Sequence, residues 1–323
     1  MRNDTILVLA NPAEPQLSKL APMLAGARTI IGASPESFEQ AARQARVLFR
    51  WSGPLAQFQK VFGMCPNLLW VHARAAGIDK VLFPELVESS VQLTNGTGVF
   101  SASLGEFVLG AILYFAKDFR RMIGNQNAGL WEAFDVLPVA GQTVGIIGYG
   151  DIGRAVATRV RAMGMKVLAV KRHAATSRGA DSLVERTYGP EGRLEMISRS
   201  DYLVVAAPLT PETRGMIGEP EFAAMKSGAV VINVGRGPVI HEEALVRTLS
   251  EGRIKGAALD VFDHEPLPPG HPFYRLENVL LSPHCADHTP DWLEDAMVFF
   301  AEQYGRFRNG KPLLNVVDKK LGY

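Results

Sequence analysis

The sequence predicts an α/β fold built from doubly wound parallel sheets, and three observations carry that prediction. Short apolar runs alternate with helical patterns along most of the 323 residues, the signature of parallel βαβ units. The run 229–234 is apolar apart from one Asn, as a strand buried on both faces requires. Residues 144–147 lead directly into Gly148-Tyr-Gly150-Asp-Ile-Gly153, a glycine turn between an apolar run and a helical pattern.

In chain order, strands are expected at 6–10, 28–31, 47–49, 68–71 and 91–94, with helices at 16–24, 35–45, 55–62 and 81–87 between them. This first part has no glycine phosphate loop. After the strand containing Trp70 it carries Ala75-Ala76-Gly77-Ile-Asp79. Small residues at a strand's carboxyl end leave amides free to face an anion, and open sheets bind ligands at that edge; an ordinary loop would look the same. Ser103-Leu-Gly-Glu106 reads as a capping box opening a buried helix to Phe115. Residues 120–137, including Trp131, show weak periodicity. They are expected to form a long connection, an arm that crosses to a second subunit.

The glycine turn has a physical rationale at each position. Gly148 permits the tight turn, Gly150 lets a pyrophosphate approach the backbone, and Gly153 lets the following helix lie close to the sheet. Ile152, Val156, Val160 and Met163 mark that helix, and 167–170 the next strand. The helix N-terminus would hold the phosphates. At the end of the second strand an acid usually meets a free ribose 2′-hydroxyl. Here stand Lys171, Arg172 and His173, cations suited to a 2′-phosphate. NADP(H) is therefore expected in preference to NAD(H), which remains compatible with the motif; solvated charges at a strand end are the alternative.

Beyond it, strands are expected at 202–206, 229–234, 256–260 and 278–281, and helices at 219–225, 242–250 and 291–307. Arg236, Glu265 and His284 each fall just past a strand end. Strand ends of one parallel sheet share an edge, so the three can converge beside the glycine turn.

Composition sets bounds. A formal net charge of +1 argues against a general nucleic-acid binder. Two cysteines, Cys65 and Cys285, imply neither a disulfide framework nor a zinc ribbon and fit a reducing cytoplasm. The N-terminal apolar run is too short for a signal peptide, and 107–116 falls below the roughly 18 residues of a membrane helix. A cytoplasmic protein without nucleic-acid or membrane partners is expected.

With Ala76-Gly-Ile-Asp79, the glycine motif, Pro208-Leu-Thr-Pro-Glu-Thr-Arg214, Ile232-Asn-Val-Gly-Arg-Gly237, Ala258-Leu-Asp-Val-Phe-Asp-His-Glu-Pro266 and Ser282-Pro-His284 in this order, the chain resembles the D-isomer-specific 2-hydroxyacid dehydrogenases. It looks most like their NADPH-using glyoxylate and hydroxypyruvate reductase members. The resemblance implies a Rossmann cofactor domain (101–288) inserted in a flavodoxin-like substrate domain (1–100 and 289–323), a cleft active site and a homodimer. It implies hydride transfer between NADP(H) and a small 2-oxo or 2-hydroxy acid. His284 would be the general acid and base, Glu265 its partner, and Arg236 the ligand of the substrate carboxylate and carbonyl. Ala76 and Gly77 would hold the carboxylate through their amides, and Asp260 would orient the nicotinamide carboxamide. Gly148, Gly150, Asp151, Ile152, Gly153, Lys171, Arg172, Pro208, Thr213, Val234, Arg236, Asp260 and His284 match cofactor-lining positions.

Glu265 stands where formate-oxidising relatives have Gln, which argues against formate. Arg74, close to the carboxylate loop, and Cys285-Ala-Asp287-His288 depart from the usual pattern. His284, Asp287 and His288 could suggest a metal, but spacing alone is poor evidence and no metal is expected. Cys285 reads as a small packed residue. Trp51 and Trp131 suit a substrate pocket, or equally a core or interface. Other readings of the whole chain are a dinucleotide-sensing, corepressor-like protein or a dehydrogenase for bulkier or phosphorylated 2-hydroxy acids.

Overall fold

The computed structural model describes residues 4–24, 26–172 and 181–323; His173 lies outside them. The chain divides into two compact units, Met1–Phe100 with Thr289–Tyr323, and Ser101–His288.

The first unit holds strands β1 (Thr5–Leu9), β2 (Arg28–Gly32), β3 (Ala45–Arg50), β4 (Trp70–Ala73) and β5 (Gln92–Asn95). They form a parallel sheet in the order β2-β1-β3-β4-β5, the flavodoxin order. Every residue of β1 is buried, so a continuous apolar run is the right sequence for it. The helix Trp292–Arg308 returns to cover this sheet: Phe300 stacks on Phe49 at 4.0 Å and on Trp70 at 5.3 Å. Fully burying each such ring contributes roughly 1.5–3 kcal/mol. His72 lies among these rings, 2.7 Å from Thr94 Oγ1, and burial pulls its pKa down to about 3. It is neutral core.

Two expectations for this unit need correction. Residues 35–45 form no α-helix, only 3-10 turns at Pro35–Phe38 and Ala42–Gln44. Phe38, Ala41, Ala42 and Ala45 are all buried, so the apolar spacing is satisfied by short turns running into β3. Strands β4 and β5 run on past the expected 68–71 and 91–94, because His72 and Ala73 in the one and Asn95 in the other continue them as buried members.

The second unit holds β6 (Thr143–Ile147), β7 (Lys166–Val170), β8 (Arg186–Tyr188), β9 (Tyr202–Val205), β10 (Val230–Asn233), β11 (Gly256–Leu259) and β12 (Val279–Leu281). All are parallel, in the order β12-β11-β10-β9-β6-β7-β8. This is the Rossmann arrangement with one added strand. The order reverses between β6 and β9, the switch point at which open sheets bind ligands. The helix Ser101–Ala116 packs closely on the helix Asp151–Ala162, since a Cβ at Gly105 would lie 3.0 Å from the Ala155 carbonyl oxygen.

The capping-box expectation fails. The helix begins at Ser101, and Ser103, inside it, donates through Oγ to Ala286 O at 2.7 Å. Part of the expected connection 120–137 is a helix, Phe119–Ala128, capped by Asp118. None of its residues is buried, which is why no apolar stripe announces it. β8 and the helix Arg193–Arg199 also went unpredicted, being short and largely polar. Among the described residues no helix is long and apolar enough to cross a membrane.

Candidate active site

The glycine turn joins β6 to the helix Asp151–Ala162. Gly148 has φ +85°, and a Cβ there would stand 2.6 Å from the Ala207 backbone. A Cβ at Gly153 would meet Gly148 O at 2.9 Å. At Gly150 it would meet nothing within 4 Å, so open space flanks the backbone at the helix entrance. No side chain caps this helix, which leaves its first amides for a ligand. Asp151 and Ile152 form that first turn. The cradle fits a dinucleotide pyrophosphate.

The other cofactor-site candidates lie at strand ends along one edge. Beyond β9, Thr213 closes the Pro208–Thr213 turn: its Oγ1 donates to Pro208 O at 2.6 Å and accepts from Thr210 N at 2.8 Å. Past β10, Val234 is buried and its amide donates to Val205 O at 3.0 Å. Past β7, the Lys171 ammonium lies 4.9 Å from the Tyr149 ring centre, and Arg172 pairs with Glu212 at 3.3 Å. Asp181, which the sequence reading passed over, accepts from Tyr149 OH at 3.1 Å and pairs with Arg154.

Arg236, Glu265 and His284 all belong to this second unit. Buried Asn233, at the end of β10, shapes the Arg236 loop. Its Oδ1 accepts from Gly235 N and its Nδ2 donates to Arg236 O, both at 3.1 Å. A Cβ at Gly237 would sit 2.0 Å from the Phe262 carbonyl carbon, so only glycine brings this loop against the segment leading to Glu265. Glu265 Oε1 accepts from Phe262 N at 3.1 Å, and Oε2 faces His284 Nδ1 at 2.9 Å. A carboxylate can only accept, which puts a proton on Nδ1. The bond to Glu265 raises the His284 pKa above its ordinary value, aided by Asp260 and opposed by burial and Arg236.

His284 has φ +53°, left-handed backbone that is uncommon away from glycine. Asp260 holds it. Its buried carboxylate Oδ1 accepts from Ser282 Oγ at 2.6 Å, Cys285 N at 3.0 Å and Ala286 N at 3.1 Å. Sequence reasoning missed this work of Asp260, and missed Asn233 and Ser282 entirely. The available signals were one polar residue closing an apolar strand and a serine two residues before the histidine.

Ala76 and Gly77 belong to the first unit, in the loop after β4. That loop is fixed by Asn95 Nδ2 donating to Ala76 O at 2.6 Å and Gly96 N donating to Ala75 O at 3.1 Å. Trp51 is buried and donates from Nε1 to Glu14 at 2.7 Å, whereas Trp131 is fully exposed. Cys285 is exposed, with Sγ 3.6 Å from Ser282 Oγ. His288 Nε2 lies 3.8 Å from Asp287 Oδ1.

Residues 109–286 match the family described as D-isomer specific 2-hydroxyacid dehydrogenase, NAD binding domain. The chain is 32% identical over 277 residues to glyoxylate reductase from Korarchaeum cryptofilum, covering 81% of this chain and 80% of that one. It is 34% identical over 275 residues to glyoxylate reductase from Aeropyrum pernix, covering 81% and 79%. The solved structure of NADPH-dependent glyoxylate/hydroxypyruvate reductase from Sinorhizobium meliloti, in complex with NADP and sulfate, superposes with a TM-score of 0.87 at 30% identity, covering 99% of this chain and 100% of that one.

Proposed function

The chain belongs to the D-isomer specific 2-hydroxyacid dehydrogenase family, and from that premise we propose that it is an NADP(H)-preferring reductase of small 2-oxo acids of the glyoxylate and hydroxypyruvate kind. The observation that carries the reading is the Glu265–His284 hydrogen bond at 2.9 Å, at the sheet edge that also bears Arg236 and the glycine turn.

A reduced nicotinamide dinucleotide held at the turn Gly148–Gly153 would supply a hydride to the carbonyl carbon. Negative charge then develops on the carbonyl oxygen, and His284 delivers a proton to it from Nε2. Glu265, on Nδ1, fixes the ring and favours the charged imidazole that makes this donation. Arg236 offers a planar fork of donors to the substrate carboxylate and carbonyl oxygen. The amides of Ala76 and Gly77 are the proposed carboxylate ligands in the first unit. Asp260 orients the carboxamide while its Oδ1 holds the histidine loop.

NADP(H) preference is assigned to Lys171 and Arg172. The Arg172–Glu212 pair is exposed, and such pairs are weak, so a 2′-phosphate readily recruits the arginine. Replacing Lys171 and Arg172 together with alanine is expected to raise the Kd and KM for NADPH about tenfold or more, with NADH affected far less. Fluorescence titration and initial rates read both. Equal losses for the two cofactors would contradict the assignment.

We further propose a homodimer formed through the expected arm 120–137 together with Phe119, the first residue of its helix. Phe119, Met122, Ile123, Leu130, Trp131, Val136 and Leu137 are all exposed within 19 consecutive residues, a density of exposed apolar side chains that suits a partner site. Sedimentation equilibrium is expected to give twice the chain mass, falling to the chain mass in an Ile123→Glu, Leu130→Glu double variant. A monomeric unmodified protein at micromolar concentration would exclude this assembly.

A further inference from the structure

The segment that presents Glu265 to His284 is itself held from outside the site. Past the end of β11, Val261 and Phe262 are buried, and the chain runs on through exposed Asp263 and His264 to Glu265. Two successive amides of this turn are taken by carboxylates. Phe262 N donates to Glu265 Oε1 at 3.1 Å, and Asp263 N donates to Glu242 Oε2 at 3.2 Å. Glu242 is the first residue of the helix Glu242–Ser250. A short 3-10 turn, Gly237–Val239, leads to that helix from Arg236. Glu242 thus ties the segment bearing Arg236 to the segment bearing Glu265, beside the close approach of Gly237 to Phe262.

The other oxygen of Glu242 is engaged as well. His271 Nε2 lies 3.2 Å from Glu242 Oε1, and His271 Nδ1 accepts from Phe273 N at 3.3 Å. A ring nitrogen that accepts carries no proton, so the imidazole proton sits on Nε2 and is donated to Glu242. Glu242 therefore uses two acceptor oxygens at once. Gln here would keep one acceptor and set an amide donor against either the Asp263 N–H or the ring N–H. The Glu242 and His271 side chains are only 20% and 17% exposed, so water replaces a lost partner poorly. The charged groups around the turn are few. Burial and the Glu242 charge push the Asp263 carboxyl above its ordinary range, opposed by His264, Arg214 and His241.

We propose that Glu242 is a positioning residue for proton transfer: through the Asp263 amide it fixes the turn that aims Glu265 Oε2 at His284 Nδ1. The inference rests on the 2-oxo-acid reductase reading, in which the Glu265–His284 pair handles the proton. The charges that act on His284 are those of Glu265, Asp260 and Arg236. Glu242 influences the ring through the placement of Glu265.

The test is the pH profile of kcat for the best 2-oxo acid at saturating NADPH. It compares the unmodified protein with Glu242→Gln, Glu242→Asp, Glu265→Gln and the Glu242→Gln, Glu265→Gln double variant. Glu242→Gln is expected to lower kcat about tenfold, within the range of coupled neighbours. It should also move the loss of reductive activity to lower pH, with the Kd of NADPH unchanged. Glu242→Asp keeps both oxygens and should recover part of the loss. In the double variant the Glu242 change should add little to the effect of Glu265→Gln, because it acts through the residue already altered. An unmoved profile in Glu242→Gln overturns the assignment. So does a shift that adds in full to that of Glu265→Gln, since a direct effect of the Glu242 charge would persist without Glu265. Either result leaves the reductase reading intact. Absence of turnover with every 2-oxo acid overturns the reductase reading and this inference with it.

Discussion

Replacing His284 with alanine is expected to lower kcat for 2-oxo-acid reduction by about 10²- to 10⁴-fold, the usual contribution of a positioned general acid, while NADPH still binds. In the proposed reaction His284 is the proton donor: Glu265 lies 2.9 Å from Nδ1, and Nε2 is the nitrogen assigned to the substrate oxygen. The pH dependence carries the same signature. Reduction needs the protonated ring, so activity is present at low pH and lost as pH rises through the His284 pKa. Glu265 raises that pKa, extending the active range upward. Glu265→Gln should move the loss of reductive activity to lower pH, and for hydroxy-acid oxidation it should move the onset of activity to lower pH as well. Near-normal kcat in His284→Ala, or an unmoved profile in Glu265→Gln, would remove these residues from the roles given to them.

Arg236→Ala is expected to reduce kcat/KM for glyoxylate by about 100-fold or more, as loss of two charge-assisted hydrogen bonds implies. Lysine should rescue little, because one ammonium cannot reproduce a planar fork. The loop that carries Arg236 is held by Asn233 and fitted against Phe262 through Gly237, so the effect should arise at the side chain with the fold retained. A thermal unfolding midpoint close to that of the unmodified protein would check this. An Arg236→Ala protein that binds and reduces glyoxylate normally would place the substrate carboxylate elsewhere.

Much of this was legible from residues alone, for identifiable reasons. Strands buried on both faces are written as apolar runs, so β1, β6, β7, β9 and β10 could be located closely. The glycines of the turn are each dictated by local space: Gly148 by a positive φ, Gly153 by contact with Gly148 O. Elements whose stability comes from polar contacts left no such trace. β4 and β5 run past their apolar runs because His72 and Asn95 are buried polar members. The helix Phe119–Ala128 buries nothing, so no periodicity marked it. At the site, strand-end logic assembled Arg236, Glu265 and His284. It could not show that a single oxygen of Asp260 gathers three donors to set the histidine loop, because that depends on a turn conformation rather than on spacing.

The most direct measurement is the initial rate of reduced-nicotinamide consumption by the purified protein, with NADPH and NADH supplied separately against glyoxylate, hydroxypyruvate and larger 2-oxo acids. The account predicts turnover with at least one 2-oxo acid, faster and at lower KM with NADPH. Tight NADPH binding with no consumption on any 2-oxo acid would contradict it and make the dinucleotide a regulatory ligand instead.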